Sequence, residues 1–167
     1  MKEINAGQAF KLTSPNPLVM VCTEREDGTT NIAPVSFFMF TSFSPAMVAF
    51  ALGENKNTGV NFERTGHAVI TTPGLSLREA VMKYGTNSGS KTNKLEDYPV
   101  PMMSLEESSI QVPADSRTIF VVSLDGTMVT GNHTLYSCRV EKIYGDESVE
   151  ALYAWNGYSV IAPAYEG

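Results

Sequence analysis

The residues best suited to chemistry stand together in Gly53-Glu54-Asn55-Lys56-Asn57-Thr58. A cation, a hydroxyl, amides and backbone N–H groups arrive there just as a helix is predicted to begin. The first N–H groups of a helix lack intrahelical acceptors and carry partial positive charge, so this stretch suits an anion such as a phosphate. An ordinary N-capped helix fits the same residues, with Asn55 or Asn57 as the cap. A second candidate is Ser36, directly after Pro34. Proline has no N–H and forces an edge, bulge or bend in a strand, exposing backbone groups that a ligand can use. The Ser36 hydroxyl is either satisfied in the core or turned toward such a ligand.

Other chemistries find little support. There is no G-x-S-x-G elbow, and neither cysteine sits in a catalytic setting. Only His67 and His133 are present, without carboxylates at metal-binding spacing. His67 opens an apolar strand and reads as structural. His133, at a turn before a strand, is either solvated or a substrate contact. Gly85-Thr86-Asn87-Ser88-Gly89-Ser90-Lys91-Thr92 nearly matches the phosphate loop G-x-x-x-x-G-K-[ST], but Ser90 replaces the second glycine and a helix precedes it where a strand is needed. That stretch fits a lid or a second anion contact better. An anion loop without catalytic machinery points to a borrowed cofactor that does the hard chemistry.

The elements that must position these residues are mostly strands. Residues 18–23 and 29–35 form a predicted hairpin around Glu26-Asp27-Gly28. Residues 31–40 and 46–52 read as strands buried on both faces. In the second, Val48, Phe50 and Leu52 share one face and Met47, Ala49 and Ala51 the other, small enough for something flat to lie close. A helix over 58–65 ends at Gly66 as a left-handed cap. A strand follows over 67–72. Ser76-Leu77-Arg78-Glu79 reads as a capping box for a helix over 77–84 closed by Gly85. Residues 92–116 are irregular, with a helical turn near 105–109. Strands follow over 117–124 and 135–144, separated by a turn or bulge at Asp125-Gly126. The lead-in 1–16 closes in a proline turn, and the aromatic tail 152–158 packs on the body or on a partner subunit. About seven strands and two or three short helices predict a mostly β protein, a small antiparallel barrel.

The 167 residues fit one domain, 1–167, with 43% apolar residues. The net charge of −6 argues against nucleic acid as a partner. No apolar run reaches the length of a membrane span, and the first residues lack a signal core. Cys22 and Cys138 read as buried free thiols of a cytoplasmic protein.

Four segments together resemble the flavin reductase-like, FMN-binding split-barrel family, which includes flavoredoxin. They are Pro17 to Thr23 with Asp27-Gly28 and Asn31; Ser36 through Ser44-Pro45 to Leu52; Gly89-Ser90-Lys91 through Lys94; and Gly131-Asn132-His133-Thr134-Leu135 with Leu152-Tyr153-Ala154. The chain departs from the family pattern at Ala46, Ser90-Lys91 and Leu95.

The resemblance implies a split barrel, a homodimer and non-covalently bound FMN near the subunit interface. By similarity, Ala33, Pro34, Val35, Ser36 and Phe37 would face the isoalloxazine ring. Asn55, Lys56, Asn57 and Thr58 would hold the ribityl chain and phosphate. Ser88, Gly89 and Lys91 would close over the site, Trp155 would cover the flavin, and His133 would lie at the nicotinamide end. The implied activity is reduction of flavin by NADH or NADPH, held transiently because no G-x-G-x-x-G is present. The competing expectations are a flavoredoxin-like carrier with tightly bound FMN and a protein donor, and a non-redox flavin- or heme-binding protein. The acceptor is a protein or a small molecule.

Overall fold

A computed structural model describes residues 1–164. Seven antiparallel strands form the main sheet: β1 (Val19–Glu24), β2 (Thr30–Val35), β3 (Phe38–Phe43), β4 (Ala46–Gly53), β5 (His67–Pro73), β8 (Ser116–Thr130) and β9 (His133–Gly145). Their order is β2-β1-β5-β8-β9-β4-β3. Two small hairpins, β6 (Met102–Leu105) with β7 (Ser108–Pro113) and β10 (Leu152–Trp155) with β11 (Val160–Pro163), cover it. Four short helices complete the fold: α1 (Ala6–Leu12), α2 (Asn57–Thr65), α3 (Arg78–Thr86) and α4 (Lys94–Asp97).

Side-chain alternation explains the two cores. Along β1, Val19 and Val21 enter one apolar cluster while Met20 and Cys22 enter the other. β5 does the same with Ala68 and Ile70 against Val69. One cluster centres on Phe50, Phe62 and Phe120, the other on Leu77, Val81, Tyr84 and Leu152. Central strands buried on both faces carry unbroken apolar runs, as the sequence shows for residues 18–22. Cys22 and Cys138 are free and buried, as expected.

The predicted strand over 31–40 is two strands. β2 pairs with β1 alone and β3 with β4 alone, at opposite edges of the sheet, and Ser36-Phe37 carries the chain between them. Pro34 is therefore on an edge strand, where proline is tolerated. β3 is not buried on both faces: Met39, Phe40 and Phe43 are exposed.

The Asp125-Gly126 signal is a bulge, not a turn. The register shifts between Leu124 and Gly126, and β8 and β9 continue as one long hairpin to Thr130 and His133.

Four other expectations fail locally. The lead-in holds a helix, α1, opened by an Asn5 capping box with Gln8. Lys56, not Asn55 or Asn57, is the N-cap of α2 and makes no side-chain cap bond, while Gly66 ends the helix at φ 72° as predicted. Ser76 caps nothing: its hydroxyl donates to Asp115 at 2.5 Å, a short 3-10 turn (Leu75–Leu77) intervenes, and α3 runs past Gly85 to Thr86. The irregular stretch holds α4 and the β6–β7 hairpin, and the predicted helical turn is that hairpin's tip, with Leu105 opposite Ser108.

Candidate functional site

A cavity of about 430 Å³ opens where the two edges of the sheet approach each other. Its walls come from distant parts of the chain. The β2–β3 crossing brings Ala33, Pro34, Val35, Ser36 and Phe37, and the end of β4 brings Ala51, Leu52 and Gly53. The start of α2 adds Lys56, Asn57 and Thr58. The end of α3 and the following loop add Tyr84, Ser88 and Gly89, among others. His133 arrives because it pairs with Gly53 at the end of β9. Of the small face of β4, Ala51 alone reaches the cavity.

The site carries positive charge. Lys56 and Lys94 both line it, and among the described residues none of those lining it is an aspartate or glutamate. Lys94 is 5% exposed. Its Nζ donates to the carbonyls of Ile32 at 3.0 Å and Tyr84 at 2.6 Å. Burial, with Arg25 and Lys56 adding repulsion, pushes its ammonium down to about 8. Arg25 in turn clamps the neighbouring loop, donating to the carbonyls of Gly89 and Thr92 at 3.0 Å each.

A polar network supports the α2 end. Asn31 Nδ2 donates to the hydroxyls of Thr58 at 3.0 Å and Thr23 at 3.3 Å. Asn61 Nδ2 also donates to Thr23 at 3.4 Å. As an acceptor from Asn31, Thr58 keeps its own hydroxyl proton to donate elsewhere. Among the described residues four buried side-chain polar atoms have no protein partner, and one of them, Ser36 Oγ, belongs to a cavity-lining residue; another, Asn31 Oδ1, packs against Gly89. Native proteins satisfy almost all such atoms, so the Ser36 hydroxyl marks a place in the cavity wall for a ligand group or water.

An aromatic rim completes the site. The Phe37 ring meets Phe10 edge-on, with centroids 5.2 Å apart, and His133 at 5.2 Å. His133 Nδ1 lies 2.7 Å from Asn132 Oδ1. With that oxygen as acceptor, Nδ1 carries the proton and Nε2 is the free acceptor. The arrangement fits a flat ligand with an anionic group: rings and small residues for the plane, lysines and helix N–H groups for the charge.

Most of the expected residues converge here: Ala33 to Phe37, Lys56, Asn57, Thr58, Ser88, Gly89 and His133. Three do not. Asn55 lines a separate cavity of about 290 Å³ with Glu54 and Glu63. Lys91 is exposed outside the lining. Trp155 turns away, donating from Nε1 to the Ala162 carbonyl at 3.3 Å within its own hairpin. Tyr158, three residues on, takes the place expected of it and bears a positive φ of 76°. Phe10, Tyr84 and Lys94 were also unforeseen as lining residues. The Asn5-to-Gln8 capping box was a legible sign of the helix that delivers Phe10.

The model of the family described as flavin reductase like domain matches residues 12–162. The chain belongs to the flavin reductase-like family. The expected resemblance is thereby borne out. An uncharacterized protein of Archaeoglobus fulgidus is 28% identical over 108 residues, covering 64% of this chain and 60% of that protein. One of Methanothermobacter thermautotrophicus is 25% identical over 133 residues, covering 80% and 55%. The matched part thus spans little more than half of each relative.

Solved structures share the fold of this flavin reductase-like chain. A split-barrel-domain protein from Shewanella frigidimarina superposes with a TM-score of 0.86 at 14% identity, covering 97% of this chain and 88% of that one. Flavoredoxin of Desulfovibrio vulgaris gives 0.85 at 17%, covering 100% and 95%. An FMN-binding protein from Thermus thermophilus, with cyclohexenone bound, gives 0.84 at 17%, covering 100% and 98%. The mostly β, split-barrel fold expected from the sequence is the fold observed. Among the described residues no helix is long and apolar enough to cross a membrane.

Proposed function

We propose that this protein binds FMN and acts as an oxidoreductase that takes electrons from NADH or NADPH and passes them to a further acceptor. The observation that carries the reading is the cavity itself. It combines two lysines without a lining carboxylate, an unpaired buried Ser36 hydroxyl and an aromatic rim.

Bound FMN supplies the hydride and electron chemistry that no side chain here provides. Lys56, Thr58 and the first N–H groups of α2 hold the phosphate; α2 has no side-chain cap, so those groups are available. Ser36 and the backbone of residues 33–37 meet polar atoms of the ring. Phe10 and Phe37 exclude water from the ring's surroundings. His133, with Nδ1 held by Asn132, presents Nε2 to a substrate at the mouth. The nicotinamide binds transiently, since the sequence has no G-x-G-x-x-G. In this reading the protein is a cytoplasmic homodimer. The two free, buried cysteines fit a reducing compartment, and the exposed aromatic side chains of β3 fit a subunit contact.

The test is the visible absorption spectrum of the purified protein, before and after anaerobic NADH or NADPH. A flavin band that bleaches with either nucleotide is the expected result. Bleaching by dithionite alone would favour a flavoredoxin-like electron carrier with a protein donor. No flavin band, even after FMN is added, would overturn the proposal.

A further inference from the structure

The aromatic side chains lining the cavity differ in how firmly they are held. Tyr158 is wedged against α3: a β-carbon on Gly85 would lie 3.2 Å from Tyr158 Cε1 and 3.4 Å from Pro34 Cγ. Its hydroxyl donates to the Val81 carbonyl, 3.5 Å away. Asn156, Gly157 and Tyr158 form a left-handed run, with φ of 50°, 63° and 76°. Asparagine and glycine take up such angles readily, but a tyrosine does so only where its surroundings impose it. Phe10 is held quite differently. It comes from α1, the one helix among the described residues with no buried residue. A helix of 7 residues is too short to persist alone. Its links to the body are few. Asn16 is the fixed post, exchanging backbone bonds with Ala154 at 2.8 and 3.1 Å, and its Nδ2 donates to the Phe10 carbonyl at 3.3 Å. Ser14 Oγ accepts from the Asn156 N–H at 2.7 Å. The Phe10 ring rests on Phe37 and on Gly157, where a β-carbon would come within 3.3 Å of Phe10 Cδ1.

We propose that Phe10 is a specificity-determining residue, a hinged stopper that swings with α1 to admit a dinucleotide donor, and that the strained 156–158 turn is the seat against which it closes. The inference rests on the reading above, that the protein binds FMN and takes electrons from NADH or NADPH. The cavity of about 430 Å³ lies toward the small end of ligand sites. A flavin mononucleotide takes up most of such a volume, so a second planar molecule at the ring needs the mouth to widen. The sheet strands and the buried faces of α2 and α3 cannot give way without opening the core. α1 can, because what it gives up is one aromatic contact and two hydrogen bonds at its base. Size is therefore the property that Phe10 sorts. A small dihydronicotinamide passes the closed mouth, whereas NADH or NADPH must first part Phe10 from Phe37.

The test is anaerobic stopped-flow bleaching of the FMN-loaded protein by two donors of the same chemistry and different size, 1-benzyl-1,4-dihydronicotinamide and NADH or NADPH. Phe10→Ala is expected to raise the rate with the dinucleotide by about 2- to 12-fold relative to the small donor, the fold-change that one aromatic contact is worth in a rate. Phe10→Trp is expected to move the ratio of the two rates the other way. Hydrogen exchange gives a second reading on wild type: amides of residues 6–13 should exchange faster when NAD+ or NADP+, which cannot reduce the flavin, is added to the FMN-loaded protein. A ratio that neither variant changes, or that falls with both donors alike in Phe10→Ala, would overturn the stopper while leaving the FMN reading intact. If Phe10→Ala does not fold, the exchange measurement decides, and unchanged exchange over 6–13 overturns the proposal. A wild-type flavin that neither donor bleaches would overturn the nicotinamide reading together with this one.

Discussion

Gly89 lies flat against the carboxamide of Asn31, so close that a β-carbon at that position would overlap Oδ1. The Asn31 side chain cannot swing clear without cost, since its Nδ2 is held by Thr58 and Thr23 inside a buried network. Gly89→Ala is therefore expected to push the 88–92 loop outward. The stability loss should be about 1–3 kcal/mol by denaturant unfolding, the usual cost of overpacking a buried site. FMN affinity should fall with it, read by quenching of flavin fluorescence. Unchanged affinity and stability would mean that the loop is not packed on Asn31 in solution.

Lys56 and Thr58 test where the anion sits. Each alanine variant is expected to weaken FMN binding by about 1–3 kcal/mol, the worth of one charged or charge-assisted hydrogen bond. Thr58→Ala also removes an acceptor from Asn31, so a folding control belongs beside the affinity measurement. If both variants bind FMN as wild type does, the phosphate lies elsewhere.

The sequence showed the anion loop, the Ser36 crossing and the His133 turn because each sits at a local break in a strand or helix pattern. Those breaks are short-range and chemical: a proline, a glycine, a helix start. What it concealed was long-range. Phe10 reaches the cavity only because α1 folds back until its ring meets Phe37, and Lys94 only because β2 and α3 converge on it. Trp155 was misplaced for the same reason. One aromatic residue in a tail looks like another until the β10–β11 hairpin turns Trp155 inward on Ala162 and leaves Tyr158 at the cavity. The edge position of β3 was equally hidden, since an apolar strand left exposed at a sheet edge reads in sequence like one that faces a core.

Arg25 contributes through the loop it clamps. Both terminal nitrogens bond carbonyls, of Gly89 and Thr92, and Nε is buried without a partner. Arg25→Lys has one compact head group and cannot span both acceptors in the same fork. It is expected to weaken FMN binding severalfold and to speed limited proteolysis within 88–92. Faster proteolysis with unchanged affinity would separate the loop from ligand binding.

The apolar edge of the sheet predicts the oligomeric state. On β3, Phe43 is 87% exposed, Met39 52% and Phe40 49%. Exposed apolar side chains gathered on one strand mark an interaction surface. Phe43→Lys combined with Phe40→Glu should shift a homodimer toward monomer in sedimentation equilibrium. A wild-type protein that sediments as a monomer at every concentration would remove the dimer from the proposal.

The pH dependence of stability follows from Lys94 and can be signed. In the unfolded chain its ammonium titrates near the ordinary 10.5, and in the folded apoprotein near 8. Below about 8 both states hold the proton and the burial cost is fully present. Between these values the unfolded chain holds more protons than the folded one, so unfolding becomes less favourable as pH rises. Above about 10.5 the contribution is constant again. Lys94→Met has no such group, so the stability difference between wild type and variant should move in favour of wild type across that window. Denaturant unfolding of both apoproteins at several pH values reads the difference directly. A difference that stays flat from about pH 7 to pH 10 would mean that the folded protein does not depress this lysine.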